Sequence, residues 1–262
     1  MFMNKINLRL KPYDLFAKTL VGLSMTLIVV HAHAAEESPD AVEDYRRAND
    51  LVELHYPVEV DLPYREHRGT HGFMFSVNYE NVMLDRYVSV IDNTTFYQDM
   101  FGETEFPVYN LNLSYKYNFA LGSLTANFGV GYGSIKEDAT GVEHTLSLTK
   151  YMVSGTFIMD ALFAEPYVAP YGTFGAMRLG LTESNPTETV NGNIDMLYFM
   201  QAGLLIQLNW LEDGVARRSL VESGLENTYL DVFVSKYEPS SDMNDPDTST
   251  DYMFGAGIRL EY

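Results

Sequence analysis

Three neighbouring residues have the types needed for hydrolytic chemistry: Glu143, His144 and Ser147. A histidine activates a serine only within hydrogen-bond reach. In an extended segment successive side chains alternate faces, so His144 and Ser147, three apart, point to opposite sides unless a bulge intervenes. The spacing argues against a dyad; no catalytic residue is assigned and the chain is read as non-enzymatic. A second group is ionic. Glu80, Lys116, Arg178, Arg259 and Glu261 each occupy the less apolar face of a stretch that alternates in polarity. Charges so placed need partners, so their expected chemistry is mutual ion pairing, a structural network. A third group is acidic: Glu103, Glu105, Glu137, Asp138, Glu183, Glu188, Asp242, Asp245, Asp247 and Asp251. The run from Asp242 to Asp247 is not a calcium loop of EF-hand type, because Pro246 stands at a ligand position and no glycine follows. No metal and no cofactor is assigned, and solvation is the plainer reading of these acids. The triplet Asn93, Thr94, Thr95 has the glycosylation pattern, which carries little weight alone.

Composition narrows the class. The 262 residues are 46% hydrophobic and 13% aromatic, ample for a packed fold. Nineteen Tyr and fifteen Phe beside one Trp favour strands and membrane interfaces. A formal net charge of −19 excludes nucleic acid as a partner, since that affinity comes from basic neutralisation of phosphates. The absence of cysteine removes disulfides, thiolate metal sites, thiol catalysis and a lipidated N-terminal cysteine.

Residues 1–34 read as a cleaved export signal. Lys5, Arg9, Lys11 and Lys18 precede a mostly apolar run from Thr19 to Val30, and Ala32, His33 and Ala34 form a small-x-small cleavage site. That run is well short of the ~20 residues a membrane helix requires. Residues 35–70 read as a polar, acidic segment with a weakly amphipathic helix from Pro39 to about Leu54. Pro57 and Pro63 then bracket an extended piece, and Arg65, His67, Arg68 and His71 lead into the first strand.

From residue 71 the chain repeats one unit, an alternating stretch long enough to cross a bilayer and then a polar break. Eight such strands are expected: Gly72 to Val82, Val108 to Phe119, Ser123 to Ile135, His144 to Met159, Tyr167 to Thr182, Ile194 to Trp210, Asn227 to Tyr237, and Asp251 to Tyr262. The second has the clearest polar face, with Asn110, Asn112, Ser114, Lys116 and Asn118. In the third, Gly129, Gly131 and Gly133 face inward and leave room for long side chains. The fourth changes phase between Leu148 and Tyr151, which a bulge near Thr149 would reconcile. The fifth is expected to turn Tyr167, Ala169, Tyr171, Met177, Leu179 and Leu181 outward and Gly172, Phe174, Ala176, Arg178 and Gly180 inward, with Pro170 near an end or at a bulge. The sixth places Asp195, Leu197, Phe199, Gln201 and Leu205 inward. The seventh is ambiguous. Connections should be short on one side, and the long one at Leu211 to Glu226 reads as a helix stopped by Gly224.

The last strand alternates Tyr252, Phe254, Ala256, Ile258, Leu260 and Tyr262 against Met253, Gly255, Gly257, Arg259 and Glu261, and ends on an aromatic residue. It resembles the closing strand of Gram-negative outer-membrane β-barrels, and the whole of residues 71–262 resembles the small eight-stranded superfamily that includes the OmpA membrane domain and OmpW-like proteins. The resemblance implies an all-β, eight-stranded antiparallel transmembrane barrel in the outer membrane, with a short periplasmic N-terminal helix. It implies that Phe254, Ile258, Leu260 and Tyr262 are read by the outer-membrane assembly machinery, and that outer-membrane lipids and lipopolysaccharide are partners. Two roles are implied: a structural and surface-interaction protein of the envelope, or an OmpW-like conduit for small hydrophobic molecules, the latter drawing on Phe174, Leu197, Phe199 and Leu205.

Overall fold

The computed structural model describes residues 63–137 and 142–262. The expected signal, the expected helix from Pro39 to about Leu54, and Asp138 lie outside those residues. A short helix α1 (Tyr64–His67) leads into β1 (His71–Val82). There follow α2 (Tyr97–Phe101), β2 (Phe106–Phe119), β3 (Gly122–Glu137), β4 (His144–Ile158), β5 (Val168–Ser184) and β6 (Thr189–Gln207). A 3₁₀ turn (Asn209–Leu211), α3 (Asp213–Ser223), β7 (Asn227–Ser240) and β8 (Met253–Glu261) complete the chain. Every strand pairs antiparallel with the next, and β8 pairs with β1, so the eight strands close a barrel. Closure runs from Met74 opposite Glu261 to Glu80 opposite Gly255, and Phe73 and Tyr262 exchange both backbone hydrogen bonds at 2.8 Å. A closed sheet leaves no unpaired strand edge, the condition for placing β-structure in lipid.

Alternation then sorts side chains. In β1, β2, β3 and β8 the polar and small residues face in and the apolar ones face out, as expected. The outward set includes Phe75, Val77, Leu111, Leu113, Phe128 and Val153, all exposed, and forms a continuous apolar belt. Aromatic residues rim it. Tyr79, Tyr109 and Tyr132 lie in one register row at the upper edge, while Phe73, Tyr115, Tyr117 and Tyr167 mark the lower. Tyr109 and Tyr117 are eight residues apart, which at about 3.3 Å per residue and the usual barrel tilt spans roughly 20 Å of height. A belt of this kind between two aromatic girdles defines a transmembrane β-barrel.

Two strands depart from expectation. β4 contains no bulge: it pairs without a shift from Thr145 opposite Ser184 to Ile158 opposite Tyr171, so Leu146, Leu148, Lys150 and Met152 all face in. β5 has the opposite phase to the one expected. Tyr171, Met177, Leu179 and Leu181 are buried inside, whereas Phe174 and Arg178 face out. Continuous pairing forces this, because Met177 lies opposite inward Met152 and Leu181 opposite inward Leu148. The irregularity falls instead between β5 and β6, where Asp195 and Met196 stand against the single residue Arg178; Asp195 is accordingly exposed. In β7 the ambiguity resolves with Tyr229, Phe233 and Tyr237 inward. Pro170 is the third residue of β5 and faces away from the lumen.

The two ends differ. Residues 120–121 and 159–167 connect strands at one end, which also carries α1 and α3; Gly224, at φ 71°, ends α3 with its N–H on the Leu220 carbonyl. The other end carries the long connections 83–105 and 241–252. Two inward glycines are set by close approach. A Cβ on Gly131 would overlap Oδ1 of Asn110 and lie 2.9 Å from Cε of Lys150, and one on Gly255 would overlap the Phe233 ring. Gly131→Val should therefore displace the Asn110 and Lys150 side chains and destabilise the barrel by about 1–3 kcal/mol, the usual cost of overpacking. Urea unfolding in detergent micelles reads this as a lower midpoint, and Gly172→Val, where a Cβ meets nothing within 4 Å, should leave the midpoint unchanged.

Candidate functional site: a closed lumen and its mouth

Three ionic layers cross the lumen. At the base, Lys116 from β2 bridges Glu261 and Asp160, the latter at 2.6 Å, and Arg68 meets Asp160 at 2.8 Å. The Tyr64 hydroxyl donates to Glu261 at 2.6 Å, with Tyr229 and Asn227 donating to its other oxygen at 3.0 Å. Two cations meet two carboxylates there, and α1 stoppers that end of the bore. Burial pushes the Asp160 carboxyl up, but Lys116 and Arg68 beside it outweigh this and hold it below the usual range. Partial burial and the nearby Glu261 carboxylate push the Glu226 carboxyl up.

The second layer pairs Arg259 with Asp231 at 2.6 Å. Tyr171 donates to Asp231 at 2.7 Å, and its ring lies 5.0 Å beneath the guanidinium. The third layer pairs Lys150 with Glu80, and Tyr237 and Ser235 donate to that carboxylate at 2.6 and 2.7 Å. Asn110 adds a bond to Glu80 at 3.2 Å and one to Asn78 at 3.0 Å. Between these layers the lumen holds a cavity of about 40 Å³, lined by Ser76, Asn112, Asn127, Thr156 and Gln201 among others, room for little more than water. A second cleft of about 300 Å³ lies outside the bore at the base, between α1 and α3.

Above the ionic layers the interior turns apolar. Leu146, Leu148, Met177, Leu179, Leu181 and Leu197 pack with Tyr87, Tyr97, Met100 and Phe101, which the long first connection folds down into the mouth. A single carboxylate locks that connection. Glu183, fully buried at the end of β5, accepts hydrogen bonds from the Tyr87 hydroxyl at 2.8 Å, the Ser89 hydroxyl at 2.5 Å and the Val90 N–H at 2.8 Å. Burial and the Glu183 charge together push the Tyr87 hydroxyl up, so it stays a donor.

Of the charged residues picked out from sequence, Glu80, Lys116, Arg259 and Glu261 face this lumen, divided among separate layers and not joined in a single network. Arg178 does not: it projects outward and meets Asp195 at 3.5 Å, because β5 runs in the opposite phase. Sequence reasoning missed Lys150, Asp231 and Asp160, the partners that complete each layer. The first two sit on β4 and β7, the strands of uncertain phase. Phe254, Ile258 and Tyr262 are exposed on the outer face and Leu260 is half-buried. His144 and Ser147 lie on opposite faces of β4, with Ser147 bonded to Ser134 at 2.9 Å and His144 edge-on to Phe101 at 6.4 Å. Asp242 and Asp247 accept local hydrogen bonds that shape the last connection, and Asp245 accepts from the Ser240 hydroxyl at 2.6 Å and from the Asp195 N–H of β6 at 2.7 Å.

No family model and no curated protein matches the chain. Among solved structures, Ail, the attachment invasion locus protein of Yersinia pestis, is 16% identical with a TM-score of 0.36, over 72% of this chain and 97% of that one. Neisserial surface protein A is 10% identical with a TM-score of 0.39, over 74% and 98%. Ail in complex with the heparin analogue sucrose octasulfate gives a TM-score of 0.38 at 16% identity, over 72% of this chain and 97% of that one. Likenesses this distant carry no role over to this chain.

The paired layers make a definite energetic demand. Glu80→Ala leaves the buried Lys150 ammonium uncompensated and should cost about 3–5 kcal/mol, whereas Glu80→Met with Lys150→Met should fold near parent stability. A double-mutant cycle of unfolding free energies in micelles measures the difference.

Proposed function

We propose that the chain is exported on residues 1–34 and folds with residues 71–262 as a barrel in a Gram-negative outer membrane, residues 35–70 lying in the periplasm. There it acts as a rigid, non-enzymatic mount that holds its long connections at the cell surface. The observation that carries this reading is the sealed bore, blocked by α1 at the base, by three ionic layers in the middle and by an apolar stopper at the mouth. A surface role also suits the connections. Asp92, Glu103, Glu105, Glu188, Asp242, Asp247 and Asp251 lie there, with Arg86 among few balancing cations. Such a surface repels polyanions, so the sucrose octasulfate bound by Ail is a poor guide to what this chain would hold; a cationic partner fits better.

The conduit reading has less support. Of the four apolar residues behind it, Phe174 faces outward, Leu197 and Leu205 are packed in the interior, and Phe199 borders only the lumen cavity of about 40 Å³. Liposome reconstitution with conductance and hydrophobic-solute uptake measured together tests both. The mount predicts neither current nor uptake above protein-free vesicles, and uptake without current would establish the conduit instead.

In the same reading the closing strand directs assembly. Tyr262 caps the β1–β8 seam through its two backbone bonds to Phe73, with its ring on the lipid face. Deleting Tyr262 should lower the yield of heat-resistant barrel in the outer membrane more than deleting residues 242–247 does. Equal yields from the two deletions would remove Tyr262 from that role.

A further inference from the structure

The cleft at the base of the barrel has no part in sealing the bore. It encloses about 300 Å³ between α1 and α3. Backbone bonds fix its frame: the Arg65 N–H donates to the Ala164 carbonyl at 3.1 Å, and the Glu226 N–H to the Glu261 carbonyl at 2.8 Å. The Asn209 amide closes the frame by donating to the Glu226 carbonyl at 2.8 Å. A preformed space of this size takes one long side chain or a small molecule.

The groups left open in the cleft define what would fill it. Its amides are spent on the fold: Gln207 donates to Asn227 at 2.6 Å, and Asn227 donates onward to Glu261 at 3.0 Å. A sugar or other neutral ligand finds few donors there. The carboxylates are open. Glu226 receives no hydrogen bond on its side chain from any described residue, although its backbone is held on both sides. Glu165 accepts from the Tyr64 N–H at 2.9 Å through one oxygen, and no described residue bonds the other. The cations of the adjoining ionic layer, Lys116 and Arg68, are committed to Asp160 and Glu261. Against the two open carboxylates the lining sets Arg217, itself engaged, and His67, whose Nδ1 donates to the Pro63 carbonyl at 3.1 Å. The lining is therefore net acidic at neutral pH, and the pushed-up Glu226 carboxyl marks a negative charge that the fold leaves uncompensated. Trp210 and Tyr167, both more than half exposed, supply aromatic faces, which attract cations.

We propose that this cleft binds the cationic side chain of a basic peptide segment from a periplasmic partner, its charge at Glu226 and Glu165 and its stem along Trp210 and Tyr167. Open acceptors beside aromatic walls suit an ammonium or guanidinium carried on a flexible apolar stem. The chain's own residues 35–62 make a poor occupant. They hold nine acidic residues against Arg46 and Arg47, so the segment leading to Pro63 carries the same sign as the cleft. The cleft also lies at the opposite end of the barrel from the acidic connections, so the two surfaces take separate partners. The compartment rests on the outer-membrane reading above; the binding chemistry stands apart from it.

Trp210, the chain's single tryptophan, lines the cleft and reports on it directly. The full chain, folded in non-ionic detergent micelles and checked by heat-resistant migration, is titrated with trilysine, triarginine or trialanine while Trp210 emission is read. The basic peptides should give a saturating change, and trialanine should give none. Glu226→Gln should weaken the basic peptides about tenfold, equivalent to roughly 1.4 kcal/mol. Glu165→Gln, whose amide oxygen can still accept from the Tyr64 N–H, gives the same reading in a second variant. Glu103→Gln with Glu105→Gln, exposed at the far end, should leave the affinity unchanged, which separates the cleft from general attraction to an acidic protein. Arg46→Gln with Arg47→Gln should also leave it unchanged; tighter binding in that variant would make the chain's own arginines the occupant and overturn the proposal. A flat response to both basic peptides, or full affinity in both Gln variants of the cleft, would overturn it too. The compartment is read separately in cells. Ser223→Cys, exposed at the end of α3 in a chain without cysteine, should take an impermeant maleimide only after the outer membrane is permeabilised. Labelling of intact cells would overturn the periplasmic placement and the orientation behind it, and would leave the titration as measured.

Discussion

A barrel in lipid has no apolar interior to spare, because the membrane takes its greasy face and the bore must be filled by what remains. Everything else in this structure answers that constraint. Eight strands enclose a space only as wide as the side chains that fill it. Any charge placed there is stripped of water and must meet an opposite charge or several donors. Lys116, Lys150 and Arg259 each meet a carboxylate, and the hydroxyls of Tyr64, Tyr237 and Tyr171 donate to those carboxylates. Lys150 on β4 reaches Glu80 on β1 across the bore, whereas Arg259 and Asp231 sit on the adjacent strands β8 and β7 and the cross-bore tie of that layer is the hydroxyl of Tyr171 on β5, which donates to Asp231. Gly131 and Gly255 make this possible by yielding the space through which Lys150 and Phe233 reach.

The same constraint explains which parts of the fold were legible in the sequence. In β1, β2, β3 and β8 one polarity rule, apolar outward, assigns the faces at membrane depth and fails only at the mouth ends, where Val82, Phe106, Val108 and Ile135 turn inward. β4 and β5 are longer than the belt. Where they leave it the rule inverts: Leu146, Leu148, Leu179 and Leu181 turn inward to meet the stopper, while Ser147, Thr149 and Thr182 turn outward. A reader applying one rule throughout must insert a bulge in β4 or invert β5. Neither is needed once polarity is allowed to change with height. The missed ion-pair partners share that cause, since Lys150 sits at the changeover, and Asp231 lies on β7, whose inward aromatics and outward aliphatics are equally apolar. Asp160 lies in a turn and Arg68 before the first strand, where alternation carries no information.

The inversion also separates two jobs along one set of strands. At membrane depth, stability comes from polar pairing inside and lipid contact outside. Above it, the sheet is an ordinary amphipathic layer with its apolar face turned in, covered by α2 and the residues leading to it. Glu183 stands in the upper regime, near the mouth, opposite Leu146. With no cation in contact among the described residues, this buried carboxylate is held by three donors, all from the first connection, and charged acceptors make such bonds stronger than neutral ones. The cover is thus pinned by an interaction that exists only while the connection is folded down.

A sealed bore and a pinned mouth leave the exterior as the surface on which the protein meets other molecules. That exterior is divided by charge. The connections are acidic and face outward from the cell in the proposed orientation, while the sheet face beneath them on β3–β6 carries hydroxyls, amides and two ion pairs, Lys136 with Glu143 and Arg178 with Asp195. Lys136 and Arg178 on the β3–β6 face are each met by a carboxylate, Glu143 at 3.0 Å and Asp195 at 3.5 Å, so that face presents paired charges and hydrogen-bonding groups, not a field of one sign.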